Sequence, residues 1–122
     1  MKITVHYSTK TGTIKQAFNK MFPYLKIEFI TAALGNFGSV TGKDVILHNR
    51  YLGEINDCIK QGSISIHGDY KAAFVEQLFR QSFGLRIMVF RKQKKQWIPV
   101  KADDLTLSQQ NEKGKESCII EI

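Results

Sequence analysis

The sequence predicts an α+β fold in which two consecutive strand–helix–strand units share one antiparallel sheet and lay their helices on one of its faces. Three observations predict it. The chain nearly repeats itself: Ile3-Thr4-Val5-His6 is matched by Ile64-Ser65-Ile66-His67, Ala17-Phe18-Asn19-Lys20-Met21-Phe22 by Leu78-Phe79-Arg80-Gln81-Ser82-Phe83, and Leu25-Lys26-Ile27-Glu28-Phe29 by Leu85-Arg86-Ile87-Met88-Val89, at offsets of 61, 61 and 60. The outer segments of each copy alternate apolar and polar residues, the mark of a sheet with one buried and one wet face. Between them apolar residues recur at helical spacing. Together these give βαββαβ, the ferredoxin-like plan, and the residues beyond it read as a C-terminal β-hairpin and a short helix.

The first strand turns Ile3, Val5 and Tyr7 inward and Lys2, Thr4 and His6 outward. The first helix buries Ile14, Ala17, Phe18, Met21 and Phe22, opens on a Thr13–Gln16 capping box and stops before Pro23. Strand 25–30 turns Leu25, Ile27 and Phe29 inward and Lys26 and Glu28 outward. The connector 31–62 holds a Gly-rich loop from Gly35 to Gly42, a short strand Val45-Ile46-Leu47 and a short helix around Leu52, Ile55 and Ile59. Strand 63–67 buries Ile64 and Ile66. The second helix, 70–83, buries Val75, Leu78, Phe79 and Phe83, with Asp69 as N-cap and Gly84 as C-terminal stop. Strand 85–91 turns at 92–95 into strand 96–100, which Pro99 assigns to a sheet edge. Thr106 and Gln109 form a second capping box, for a helix running to Gly114. The whole is one domain: first repeat 1–30, connector 31–62, second repeat 63–91, hairpin and tail 92–122.

At 122 residues the chain is long enough to bury a core without disulfide or metal staples, and its 43% hydrophobic and 24% charged residues exclude wholesale disorder. No apolar run approaches a membrane span, and the N-terminus shows no secretory leader. Cys58 and Cys118 stand far apart without histidines at ligand spacing, as free thiols of a cytoplasmic protein do. The net charge of +7 is uneven: residues 1–30 carry five Lys against one Glu, 31–85 balance, 86–101 carry six bases and no acid, and 102–122 carry two Lys against five acids. Any polyanion-binding role is thereby confined to one sixteen-residue element.

The stretches Phe22-Pro23-Tyr24-Leu25-Lys26-Ile27-Glu28-Phe29, Phe83-Gly84-Leu85, Val89-Phe90-Arg91-Lys92, Trp97, and Leu105 through Glu116 resemble an uncharacterised family of small proteins from Bacteroidetes-type bacteria. The resemblance spans nearly the whole chain. It implies no activity and assigns no site residue.

Three groups of residues compete for a functional role. Tyr7-Ser8-Thr9-Lys10-Thr11-Gly12-Thr13 lies between strand and helix like a flavodoxin phosphate loop, in which Ser8, Thr9, Thr11 and Thr13 would hold phosphate. Against it, the preceding strand alternates, the second repeat lacks such a loop, and no aromatic Gly-rich loop follows. The basic hairpin offers Arg91, Lys92, Lys94, Lys95 and Lys101 beside Trp97, a set suited to phosphates and a stacked base. An RNA-recognition motif is disfavoured, because the two central strands expose Thr4, His6, Ser63, Ser65 and His67 and no aromatic ring. His6, His48 and His67 have no carboxylate partner at useful spacing, Asp103 and Asp104 precede a helix start, and no nucleophile–base pair is evident.

The hairpin itself is apolar on both sides. A turn at 92–95 sets Phe90 opposite Trp97 and Met88 opposite Pro99 on one face, while Ile87, Val89, Ile98 and Val100 fill the other. The Met88, Phe90, Trp97 face requires a cover: the C-terminal segment with Leu105, Leu107, Ile119, Ile120 and Ile122, a second subunit, or a protein ligand. The sequence therefore predicts a cytoplasmic, non-enzymatic interaction or self-associating module without cofactor, metal or membrane. Met88, Phe90 and Trp97 anchor its partner and Arg91, Lys92, Lys94 and Lys95 steer it. Nucleic-acid binding by 86–101 and flavin or phosphate binding at 8–13 stand as alternatives.

Overall fold

The alternating segments form strands and the helically spaced ones form helices, but the strands pair in an order the ferredoxin-like plan does not contain. The computed structural model describes residues 1–30, 45–56, 58–100 and 104–119. Along the chain run β1 (Lys2–Val5), α1 (Thr11–Met21), β2 (Leu25–Ile30), α2 (Leu52–Ile55), β3 (Gly62–Ser65), α3 (Ala72–Phe83), β4 (Arg86–Gln93), β5 (Gln96–Pro99) and α4 (Leu107–Ile119). They form an α+β structure with two antiparallel sheets, β1–β3 and β2–β4–β5. The single sheet expected from the ferredoxin-like plan would keep β2 and β4 at opposite edges. Here they pair with each other, Ile27 opposite Val89. No described helix is long and apolar enough to cross a membrane.

The two ladders share a numerical property. In β1–β3 the residues facing each other at one register position are Ile3 and Ile64, which are 61 apart. In β2–β4 they are Glu28 and Met88, which are 60 apart. These separations equal the offsets of the sequence matches. The local bonds agree. Leu52 N–H donates to Thr9 O and Gly53 N–H to Tyr7 O; Leu107 N–H donates to Tyr70 O and Ser108 N–H to Gly68 O. Isolated bridges join Lys10 to Tyr51 and Lys71 to Thr106. Each strand–helix–strand unit thus receives the N-terminus of a later helix, α2 or α4, through the same pair of backbone bonds.

The core lies between the two sheets and the helices. Val5, Phe18, Leu25, Ile27, Ile66, Val75, Phe79, Phe83, Val89 and Leu107 are fully buried. Phe18 packs on Phe22 and Phe79 on Phe83, with ring centroids 5.3 and 5.6 Å apart. The buried stripe of α1 is narrower than its spacing predicts: Thr11, Ile14 and Phe18 are buried, whereas Ala17 and Met21 are exposed. β1 ends at Val5, so Tyr7 leaves the sheet and is exposed. Val45 makes a bridge to Ile30 rather than a strand, and Leu47 is exposed. The loop 35–42 lies outside the described residues.

Helix ends differ from the sequence expectation at the N-termini of α1 and α3 and agree at the C-terminus of α3 and the N-terminus of α4. Lys10 and Lys71 are the N-caps of α1 and α3, both extended and without a side-chain cap, in place of Thr13 and Asp69. Asn49 supplies the missing acceptor to α1, its Oδ1 taking the Gly12 N–H at 2.9 Å. Gly84 ends α3 at φ 72°, with Gly84 N–H on Arg80 O, the bond of an αL closure, and Leu85 N–H on Phe79 O. The Thr106–Gln109 capping box forms in both directions, at 2.8 and 3.2 Å. The helix it opens does not stop at Gly114 but continues to Ile119.

Gly114 is where α4 meets the sheet. A Cβ there would lie 2.9 Å from Tyr24 Cβ, 3.1 Å from Tyr24 O and 3.2 Å from Lys92 O. The neighbours are largely backbone and cannot swing away. Asn111 Oδ1 accepts the Tyr24 N–H at 2.8 Å. Ser117 Oγ accepts the Lys94 N–H at 3.1 Å and donates within α4, to Gly114 O at 2.7 Å. α4 therefore occupies the edge that β4 leaves open beyond the start of β2, a standard way of protecting exposed ladder groups. Gly114→Ala is expected to destabilise the fold by about 1–3 kcal/mol in urea unfolding, the range for overpacking a tight contact.

Two ionisable side chains fasten helices to the second sheet. Glu28, expected on the wet face, is buried, and Lys15 of α1 pairs with it at 2.6 Å. Glu76 of α3 accepts the Val89 N–H at 3.1 Å. Removing the partner of a buried charge leaves it uncompensated, so Lys15→Met is expected to cost about 3 kcal/mol, read by the same unfolding measurement. Burial pushes the Glu76 carboxyl above its ordinary range, against the opposing pull of the Val89 N–H and the Arg80 charge. A carboxyl raised in the folded state loses stability as pH rises through its folded value. Glu76→Gln escapes that loss, so its stability relative to the native chain should improve from acid towards neutral pH in parallel unfolding curves.

Candidate interaction face

The β4–β5 hairpin closes two residues later than the sequence register implies. Gln93 pairs with Gln96, Lys92 with Trp97, Arg91 with Ile98 and Phe90 with Pro99, leaving Lys94 and Lys95 as the turn. Phe90 thus faces Pro99, not Trp97. The slip is an even number of residues, so the composition of each face survives. Lys94 has φ 55°, a left-handed conformation that suits a tight hairpin turn, and its N–H is held by Ser117 of α4.

Alternation assigns Met88, Phe90, Lys92, Trp97 and Pro99 to one face of the three-stranded sheet, with Lys26 of β2 opposite Phe90. Arg91 falls on the other face with Leu25 and Ile98. Of the residues singled out for partner binding, the structure therefore brings Met88, Phe90, Lys92 and Trp97 together, puts Lys94 and Lys95 at the exposed tip, and separates Arg91 from them.

Lys26 is the residue that hairpin reasoning missed. Its Nζ lies 5.5 Å from the Phe90 ring centroid and 5.0 Å from that of Trp97. Lys92 Nζ also lies 5.0 Å from the Trp97 ring. Met88, Phe90 and Trp97 are half-buried, with two lysine side chains of this same face over the aromatic rings. The expected C-terminal cover plays another part: Leu107 enters the core, Ile119 is exposed, and Ile120 and Ile122 lie outside the described residues. The ion pairs among the described residues, Lys15–Glu28, Arg50–Glu54 and Lys71–Asp104, involve none of Lys26, Lys92, Lys94 and Lys95.

The edge of β5 is a poor template for another strand. Val100 N–H donates to Val89 O, so Ile98 and Gln96 turn their backbone to β4, while Trp97 and Pro99 turn theirs outward. Pro99 has no N–H to offer there.

The 8–13 segment is spent on the protein itself. Thr9 Oγ1 accepts the His6 N–H at 3.0 Å, and the buried Thr11 Oγ1 accepts the Arg50 N–H at 3.2 Å. Thr11 N–H donates to Arg50 O, Gly12 N–H to Asn49 Oδ1 and Thr13 N–H to Lys10 O. Ser8 and Thr13 are exposed. The first amides of α1, which a phosphate loop keeps for its ligand, are bonded to the 49–50 segment or to the preceding turn. His6 and His67 lie beyond opposite ends of the β1–β3 ladder, and no group of three His, Cys, Asp or Glu among the described residues is placed to hold a metal ion.

Comparison with known proteins finds no matching family model, no matching curated protein and no matching solved structure. Each cation–π contact at Trp97 is worth about 0.5–1 kcal/mol on a partly open surface. Lys26→Ala is accordingly expected to destabilise the chain by that amount and to shift the emission of Trp97, its single tryptophan.

Proposed function

We propose that this chain is a non-enzymatic interaction module that uses the Lys26, Met88, Phe90, Lys92, Trp97 face to bind an acidic segment of a protein partner. The observation that carries the reading is the placement of two ammonium groups 5.0 Å from the Trp97 ring. Carboxylates arriving on this face meet positive charge backed by apolar surface, and the exposed Lys94 and Lys95 at the tip extend that field. A single-stranded nucleic acid would need the ring faces for its bases, and lysines already lie over them. Cys58 and Cys118 are exposed and form no disulfide, which accords with a reducing, cytoplasmic setting.

The scaffold of this module is, in our reading, an internal duplication. The equal offsets of sequence matches and ladder positions support it, as do the paired bonds of α2 and α4. Each copy then comprises strand, helix, strand and a closing helix, one element more than the sequence matches cover. Membership of the small Bacteroidetes-type family rests on the motifs quoted above.

Trp97 reports directly on the proposed face. Titration with a synthetic peptide of alternating Glu and Leu should change its fluorescence saturably, and Lys26→Ala with Lys92→Ala should weaken binding about tenfold or more. Added salt should weaken it as well. Saturable, salt-sensitive binding of single-stranded DNA or RNA in place of the peptide would transfer the face to nucleic acid. Concentration-dependent dimerisation abolished by the same variants would identify a second copy as the partner. A Trp97 signal indifferent to all three overturns the reading.

A further inference from the structure

At the border of the hairpin face, with which it shares Met88, three charged side chains meet in a cavity of about 200 Å³ between α3 and the first half of β4. The cavity exists because β4 has eight residues and β5 pairs with it only from Phe90 onward. Glu76 and Arg80 come from successive turns of α3 and Arg86 from the first position of β4. Ile30, Met88 and Val100 supply apolar wall. One carboxylate oxygen of Glu76 is anchored by the Val89 N–H. No ion pair within 4.0 Å joins Glu76, Arg80 or Arg86 to any charged group among the described residues. One acid and two guanidiniums thus line the same space without a contact ion pair between them, the Arg80 charge acting on Glu76 only at longer range.

Such a set selects by charge. A simple anion attracted by the guanidiniums also meets the carboxylate of Glu76, and a simple cation attracted by Glu76 also meets two positive charges. A ligand with an ammonium and a carboxylate on neighbouring atoms complements all three, and its apolar remainder faces the apolar wall. At about 200 Å³ the cavity is below the size of drug-sized ligand sites. We propose that this cavity binds a small free α-amino acid with an apolar side chain. Its ammonium rests on Glu76, its carboxylate on Arg80 and Arg86, and its side chain against Ile30, Met88 and Val100. The cavity shares Met88 with the Trp97 face, but its three charged groups lie outside that face, so either assignment can fail alone.

Calorimetric titration of the full chain with L-valine, with isovalerate (the same skeleton without the ammonium) and with isobutylamine (without the carboxylate) tests it. Valine is expected to bind saturably in the millimolar range, and each single-charge analogue about tenfold or more weaker. Glu76→Gln keeps an acceptor for the Val89 N–H and removes the charge. It should lose about tenfold for valine without weakening isovalerate, with an unchanged circular dichroism spectrum as control for folding. Arg86→Met should lose about tenfold for valine and for isovalerate alike. Isovalerate binding as tightly as valine would make this a plain anion site, and no saturable binding of valine would leave no site at all; either result overturns the proposal.

Discussion

The ladder between β2 and β4 joins the two strand–helix–strand units through their second strands, and the other elements take their places from it. It sets Glu28 beside Met88 at its centre. On its inner side Leu25, Ile27, Phe29, Ile87 and Val89 form a continuous apolar floor, and β1 with β3 contributes Ile3, Val5 and Ile64 to the same core. Had β2 and β4 remained separate edges, each would have carried a row of unpaired backbone groups. Pairing them with each other satisfies one side of each strand, and α4 covers what is left where β4 overshoots β2.

The same ladder makes the candidate face. Adding β5 to β4 extends the outer surface by one strand and brings Trp97 within reach of Lys26, two strands away. A side chain that sequence spacing would class as ordinary wet-face lysine becomes part of an aromatic–cation cluster through sheet order alone. On the opposite flank, β5 ends before it covers the start of β4, and the gap is the cavity holding Glu76, Arg80 and Arg86. The aromatic–cation face and the cavity are two consequences of one short strand.

The N-termini of α1 and α3 are completed in parallel ways. The starts of α1 and α3 both lack a side-chain cap of their own, and both are met by the chain entering a later helix. At α1 the incoming segment brings Asn49 as a direct cap. At α3 it brings Asp104, which pairs loosely with Lys71 at 3.4 Å and stays exposed. This arrangement explains why the Ser- and Thr-rich segment at 8–13 has the composition of an anion loop without its free amides. The hydroxyls and amides there hold the 49–51 segment in place.

Strand and helix identities were legible in the sequence because they depend on periodicity, which is local. Alternation marked β1, β2 and β3, the i, i+3, i+4 spacing marked α1 and α3, and Gly84 and the Thr106–Gln109 pair marked a helix end and a helix start. The approximate self-match at offsets of 61 and 60 was likewise readable, since it requires only comparison of the chain with itself. Strand order was not legible, because either pairing of the outer strands buries the same apolar faces; only tertiary structure decides which edges meet. The tail of α4 past Gly114, the burial of Glu28 against Lys15 and the roofing of Trp97 by Lys26 all follow from that choice. They are contacts between residues that no spacing rule brings together, and so only the folded chain could place them.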